Sequence, residues 1–475
     1  MLLATLTALA IVAQDDTALR AAARDSAQQQ AQLWQGDTLE VRGERLGFLQ
    51  VWDHERERGG YVRATQLRLL EADEAHAPEL LAVLRFLRDT PGQESLGIAY
   101  AAAYLKAAPA AKIDAEPFDA LGVMGERLAR RGSGKQAKAD EVRTAGHLDT
   151  ARHYGLTFTQ FERDDGRVQL CYEGDAFRRV LSLLATPAQR ARAALALTRH
   201  DCVDPATRPL ERVQFDQWRA ELLDRVDLAS QDGTTATRIR LRRAGVWSAL
   251  AYAHARRADG TVAAAAAETR ALEALAGVDR AQLPEDEQRA YTEAAVRVGA
   301  SRWAMEPAAV PAASAKLAVT TAAGEPGETC VLLTGPKNDA KNPLLRRCTY
   351  GRVWNASARA NAGGTALALS VQPLDTWLEL WVFTQTDGAW SVQVLPPAAA
   401  APGIGYVEFA GWVPGGKQIL AAREARIDGR WLRSYELVSL ATLLTERAAS
   451  EPAHLTPFYR WQSADWKQRT VSLRQ

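Results

Sequence analysis

The chain of 475 residues is poor in the residue types that announce a chemistry. It has four cysteines, three methionines and seven histidines. No C-x-x-C pair occurs, and only His200, two residues before Cys202, stands near a cysteine, so neither a metal site nor any other cofactor is expected. His147 and His153 are six apart, which keeps them off one helical face and excludes a shared metal there. An excess of one charge is missing as well. Lys+Arg 58 against Asp+Glu 57 leaves +1, which argues against nucleic acid and against a polybasic membrane contact. Beyond the N-terminus no run approaches about 18 uninterrupted apolar residues, so no membrane-spanning helix is expected. The G-x-S-x-G, H-E-x-x-H, Walker and dinucleotide-binding signatures are absent from suitable contexts. Gly132-Ser133-Gly134-Lys135 lacks the upstream glycine and strand of a phosphate loop and reads as a helix breaker. No catalytic residue is assigned.

What is present begins at the N-terminus. Residues 2–13 (LLATLTALAIVA) form an apolar run that ends in small residues and meets the polar stretch Gln14-Asp15-Asp16. The run is too short to span a bilayer and fits a signal peptide over 1–13, cut after Ala13, although the basic residues that usually open such a signal are missing. Export agrees with an even cysteine count. Of the three pairings open to four cysteines, Cys171–Cys202 and Cys330–Cys348 each close one local substructure and are favoured. The expected location is the periplasm or outside a bacterial cell.

Residues 17–72 read as short strands separated by Gly36-Asp37 and Gly59-Gly60 turns. The order Leu39-Glu40-Val41, Gly47-Phe48-Leu49-Gln50-Val51, then Gly60-Tyr61-Val62, resembles a bacterial SH3 domain, a small β-barrel found in exported cell-envelope proteins. The resemblance implies a groove for a wall peptide bordered by Trp52, Asp53 and Tyr61.

Residues 76–306 are mainly helical. Leu80, Leu81, Leu84 and Leu87 recur at helical spacing, Thr186-Pro187 is a cap followed by proline, and amphipathic stretches cover 211–229, 236–257, 261–277 and 285–304. A hairpin is expected over 156–172, turning at Asp164-Asp165-Gly166, where the paired carboxylates serve the turn. Residues 307–327, rich in Ala, Pro and Gly, read as a linker.

Residues 328–475 are β-rich and hold eight of the 13 tryptophans. Two stretches, 362–383 and 414–440, resemble each other at a spacing of about fifty residues, and Phe458-Tyr459-Arg460-Trp461 suggests a third unit. The step Trp412-Val413-Pro414-Gly415-Gly416-Lys417 resembles the blade motif of WD40-like (TolB-type) β-propellers. Three units are too few to close a propeller, so the region is an incomplete propeller-like array or a sandwich of hairpins. Trp390 and Trp431, each following an Asp-Gly turn, are the candidate ligand-facing aromatics.

The expected fold class is therefore multidomain α+β. It comprises an SH3-like barrel, a helical middle with one hairpin, and a C-terminal antiparallel β-repeat region. The expected function is non-catalytic binding or scaffolding in the cell envelope, with peptidoglycan or an envelope protein as partner. The alternative is an envelope hydrolase with dispersed catalytic residues.

Overall fold

The computed structural model describes residues 8–163, 166–306, 316–399, 403–427 and 430–471. It is a mixed α+β structure of two compact units. One comprises residues 1–207 with 225–231, the other 208–224 with 232–475. The helical stretch expected as one domain over 76–306 is thus divided between them.

The first unit opens with β1 (Ala8–Val12), β2 (Thr17–Arg20), β3 (Gln29–Leu33), β4 (Thr38–Arg45), β5 (Phe48–Asp53), β6 (Arg58–Arg63) and β7 (Leu67–Leu70). They form a seven-stranded sheet in the order β3-β2-β6-β5-β4-β1-β7, which does not close into a barrel among the described residues. Residues 8–12, within the stretch read as a signal peptide, form strand β1 of this sheet; residues 1–7 lie outside the described set. β1 pairs antiparallel with β4 on one side and β7 on the other. Ala10 and Val12 face the sheet's own core with Leu33, Leu39, Val51 and Leu67, while Ile11 faces Leu87, Leu96 and Ala99 of the neighbouring helices. A strand buried on both faces has no polar alternation, so its sequence is an unbroken apolar run indistinguishable by composition from a signal's hydrophobic region.

Helices α1 (Ala77–Arg88), α2 (Glu94–Ala107), α3 (Glu116–Gly132) and α4 (Lys138–His153) follow the sheet, then the hairpin β8 (Phe158–Glu162) and β9 (Val168–Tyr172), then α5 (Asp175–Ser182) and α6 (Pro187–Leu197). Leu84, Ile98, Met124, Leu128, Leu148 and Leu170 form their shared core. Thr186 caps α6 in a capping box with Gln189, with Pro187 at the first turn. A Cys171–Cys202 disulfide ties β9 to the segment after α6. The Asp164-Asp165 turn lies outside the described residues.

The second unit contains α7 (Pro209–Asp224), α8 (Gly233–Ala255), α9 (Thr261–Ala276) and α10 (Glu285–Ser301). Its strands are β10 (Ala318–Ala323), β11 (Thr329–Thr334), β12 (Leu345–Thr349), β13 (Arg352–Val353), β14 (Arg359–Ala360), β15 (Ala366–Leu374), β16 (Trp377–Thr386), β17 (Ala389–Leu395), β18 (Gly405–Trp412), β19 (Gln418–Ile427), β20 (Arg430–Ser439) and β21 (Thr445–Ala449). The short helices α11 (Thr456–Trp461) and α12 (Ala464–Arg469) end the unit. Strand β10 falls inside the stretch expected as a linker, whose residues 307–315 lie outside the described set. Residues 458–461, expected as a third β unit, are helical.

Strands β10–β12 form one sheet, with Cys330 and Cys348 directly opposite and joined by a disulfide. Strands β13–β17 and β18–β21 are two antiparallel meanders, joined only by a short parallel step between β16 and β18. One face of β15–β16 (Leu367, Leu369, Val371, Trp381, Phe383) packs on β10 and β11. The other (Ala366, Ala368, Leu380, Val382) packs on Val407, Ile419, Ala421 and Val438 of the second meander. Because β15 and β16 are covered on both sides, they too are apolar without alternation. The sheets do not close into a ring among the described residues.

The repeat seen in the sequence is matched in hydrogen bonding. Asn361 N–H donates to Ala366 O and Gly364 N–H to Asn361 O; Val413 N–H donates to Gln418 O and Gly416 N–H to Val413 O. The two turns lie 52 positions apart, and Gly364 (φ +70°) and Gly416 (φ +68°) take the left-handed conformation in each.

Candidate functional site

In the first unit the main polar cluster is a row of paired side chains, although Arg131 Nε, Arg143 Nε and Gln35 Oε1 are buried without a hydrogen-bond partner among the described residues. His147 of α4, fully buried, accepts from the Arg131 guanidinium at Nδ1 (2.7 Å) and donates from Nε2 to Asp15 (2.6 Å). Arg131, which has no acceptor atom, fixes this tautomer. Its other nitrogen pairs with buried Glu94 at 2.8 Å. Burial works to raise the Asp15 pKa, but the His147 hydrogen bond, the Gln35 N–H and Arg143 together hold it below its usual value. This row of contacts joins Asp15, beside the strands of the sheet, to Glu94 of α2, Arg131 of α3 and His147 of α4.

Asp53, one of the residues expected to border a wall-peptide groove, is committed to its own loop. Its carboxylate is 1% exposed and accepts the Glu55 and Arg56 N–H groups and the Arg56 guanidinium (2.9 Å). Arg56 also meets buried Asp37 at 3.1 Å. Burial raises the Asp37 pKa, the charge of Arg56 opposing it. Trp52 and Tyr61 do share the outer face of the sheet. Trp52 stands opposite Gly59, and Tyr61 opposite Gln50. The Trp52 ring is covered by Arg42, 4.6 Å from its centroid, and Arg42 is held by Glu40. Of the C-terminal candidates, Trp390 is half-buried against the β10–β16 core, and Trp431, also half-buried, stands opposite Arg426 on a different hairpin. The structure does not bring these two together into one platform.

The second unit holds a cavity of about 170 Å³ that sequence reading did not find. Its wall is drawn from the end of α8 (Ala255), the start of α9 (Thr261, Ala264), the turn after α10 (Trp303, Ala304, Glu306), β10 (Thr321), β11 (Thr329) and the segment 352–356. Two charged residues line it. Glu306 is paired with Arg469 at 2.6 Å. Arg352 makes no hydrogen bond or ion pair among the described residues; it lies over the Trp354 ring, 5.1 Å from the centroid, and its Nε is buried without a partner. Burial alone draws the Arg352 pKa below its ordinary range. Two more lining residues carry a buried atom lacking a partner, the Trp303 indole N–H and Asn355 Oδ1. Asn355 uses its amide nitrogen on the Thr321 hydroxyl at 3.4 Å. Trp354 donates to Gln372 (3.0 Å) and so is satisfied.

The cavity is braced from behind by a buried ionic layer. Arg302, beside Trp303, meets Glu408 of β18, which also accepts the Trp466 indole N–H of α12 at 2.7 Å. Arg359 and Arg469 both pair with Asp465. Ser301 donates to fully buried Glu268 at 2.8 Å, and burial pushes the Glu268 carboxyl well above its usual pKa. Arg302 and Arg359 both stack against the Trp303 ring, at 4.6 and 5.8 Å.

Arg352 and Asn355, neighbours in one segment, were invisible to pattern reading because their partner in the wall, Trp303, lies about fifty residues earlier and no motif links the two. The one local hint is the dense run Arg352-Val353-Trp354-Asn355 at the entry to the β region. Comparison with protein-family models, curated proteins and solved structures finds no match for this chain.

Proposed function

We propose that this chain is a non-catalytic binding protein of an oxidising compartment, the cell envelope of a bacterium, and that the cavity of the second unit is its ligand site. The observation that carries the reading is Arg352, a half-buried guanidinium in the cavity wall with no hydrogen-bond or ion-pair acceptor among the described residues and with its Nε buried. A cation left without a counterion in such a wall is stabilised by a bound anionic group. The compartment rests on the two disulfides, which persist where thiols are oxidised. In this reading the N-terminal sheet is an SH3-like module with Trp52 and Tyr61 on its outer face, the surface for peptidoglycan or an envelope protein. The two meanders are blade-like units of the WD40-like kind, supported by their repeated turn.

The test uses the full chain. Its melting is followed against a panel of small anions, neutral polar solutes and cations, beside Ala264→Leu, which fills part of the cavity from buried Ala264. Saturable stabilisation by at least one compound, lost in Ala264→Leu, is expected. A panel with no effect of any charge class, on a variant and parent that behave alike, overturns the reading.

A further inference from the structure

Resting on the reading of the cavity as a ligand site, we infer that its ligand is a small carboxylate bearing an N–H on the adjacent carbon, supplied as a free α-amino acid or as the C-terminal residue of a peptide. Three features of the wall define this chemistry. Arg352 offers a planar, permanently charged fork with no partner, and such a fork matches a carboxylate with two parallel hydrogen bonds. One cation is present without a neighbouring free cation, since Arg469 is engaged with Glu306 and Asp465. A monoanion therefore balances the wall, whereas a doubly charged phosphate does not. Trp303, 7% exposed, carries a second donor without an acceptor. Asn355 Oδ1 is a buried acceptor without a donor among the described residues, and a ligand presenting an N–H or O–H beside its acid group would satisfy it.

Size narrows the class further. A cavity near 150 Å³ is known to take a six-atom ring, so about 170 Å³ holds roughly six to nine non-hydrogen atoms, the range from alanine to leucine. Ala255, Ala264 and Ala304 supply apolar wall for a short aliphatic side chain. The two sources of this chemistry differ at the nitrogen. A free amino acid brings an ammonium, which Asn355 and the carboxylate of Glu306 would share. A peptide end brings one amide N–H for Asn355 alone.

Isothermal titration of the full chain with L-alanine, N-acetyl-L-alanine and L-alaninamide, all within the size the cavity holds, separates these outcomes. Saturable binding of one or both acids is expected, with the amide at least tenfold weaker. Preference for N-acetyl-L-alanine assigns a peptide end, and preference for L-alanine assigns the free amino acid. Arg352→Gln should lose at least tenfold in affinity for the acid while melting close to the parent, because it breaks no salt bridge and no hydrogen bond among the described residues and gives up only the stacking on Trp354. Arg352→Lys should recover only part of the affinity, the bidentate geometry being lost. Asn355→Ala should reduce the preference for an N–H over the matching N-methyl compound. Equal binding of alaninamide, full affinity in Arg352→Gln, or no binding by any of the three compounds overturns this inference. The broader panel with Ala264→Leu then shows separately whether the cavity binds anything at all.

Discussion

Deleting residues 2–13 should unfold the first unit. Strand β1 occupies an interior position, with four residues in register with β4 and four with β7. Ala10, Ile11 and Val12 are each 0% exposed. Full burial of a Val or Ile side chain contributes about 1.5–3 kcal/mol, so Ile11 and Val12 together represent about 3–6 kcal/mol. The two ladders add to this, at about 0.5–1.5 kcal/mol net for each hydrogen bond. Folded domains are stable by only about 5–15 kcal/mol, so the loss removes most or all of that margin. The assay is hydrogen exchange at the amides of β4 and β7, with urea unfolding, on the full chain and on a chain beginning at Gln14. Protection of β4 and β7 should collapse in the shorter chain, and Ile11→Ala in the full chain should cost about 2–5 kcal/mol. Unchanged protection and an unchanged midpoint in the shorter chain would refute the assignment of 8–12 as a structural strand and restore the reading of that segment as a removable leader.

Three further outcomes follow from the same packing. Glu268→Gln should gain stability relative to the parent as pH rises. The folded carboxyl keeps its proton above the pH, near 4.5, at which the unfolded chain releases it, so stability present below that pH is lost above it, by up to about 1.4 kcal/mol per pH unit until the folded group also ionises. Urea midpoints at pH 5, 6.5 and 8 should show the gap widening, and a constant gap would mean that Glu268 ionises normally. Cys171→Ser and Cys330→Ser, which open closures of 31 and 18 residues, should each cost about 3–4 kcal/mol in chemical denaturation. Reductant opens both bonds, so it should cost the parent about the sum of the two losses and cost each variant only the share of its remaining bond. Gly146→Ala should destabilise the first unit, because a Cβ there would stand 2.5 Å from the Trp34 ring. An overpacking cost of about 1–3 kcal/mol outweighs the roughly 1 kcal/mol that alanine adds to a helix. A rise in thermal midpoint would show that Trp34 is not docked on α4.

Much of the framework is readable from local chemistry. The Thr186-Pro187-Ala188-Gln189 cap starts α6 where capping chemistry predicts, and the Gly-Gly turns before β15 and β19 recur because both need a left-handed residue at the same step. The disulfide partners follow from proximity along the chain, since each pair closes one hairpin or one hairpin-and-helix segment. The site was less legible. Asp53 looks like an exposed loop carboxylate in sequence, and only the fold shows it capping its own loop and holding Arg56.

Periodicity and turn chemistry act over a few residues, and the sequence by itself therefore determined most helices between 77 and 301, most hairpins, the cysteine pairing and the repeat of about fifty residues. It could not assign Ala8–Val12, because a strand covered on both faces and a cleavable apolar leader have the same composition; only the tertiary structure pairs this segment with β4 and β7. The tertiary structure alone decided the cavity as well. An unpaired guanidinium, an unpaired indole N–H and an unpaired carbonyl oxygen acquire meaning only when α8, α9, β10, β11 and the turn after α10 bring them to one wall. Whether a polar group has a partner is settled by the whole fold and by nothing in its neighbours along the chain.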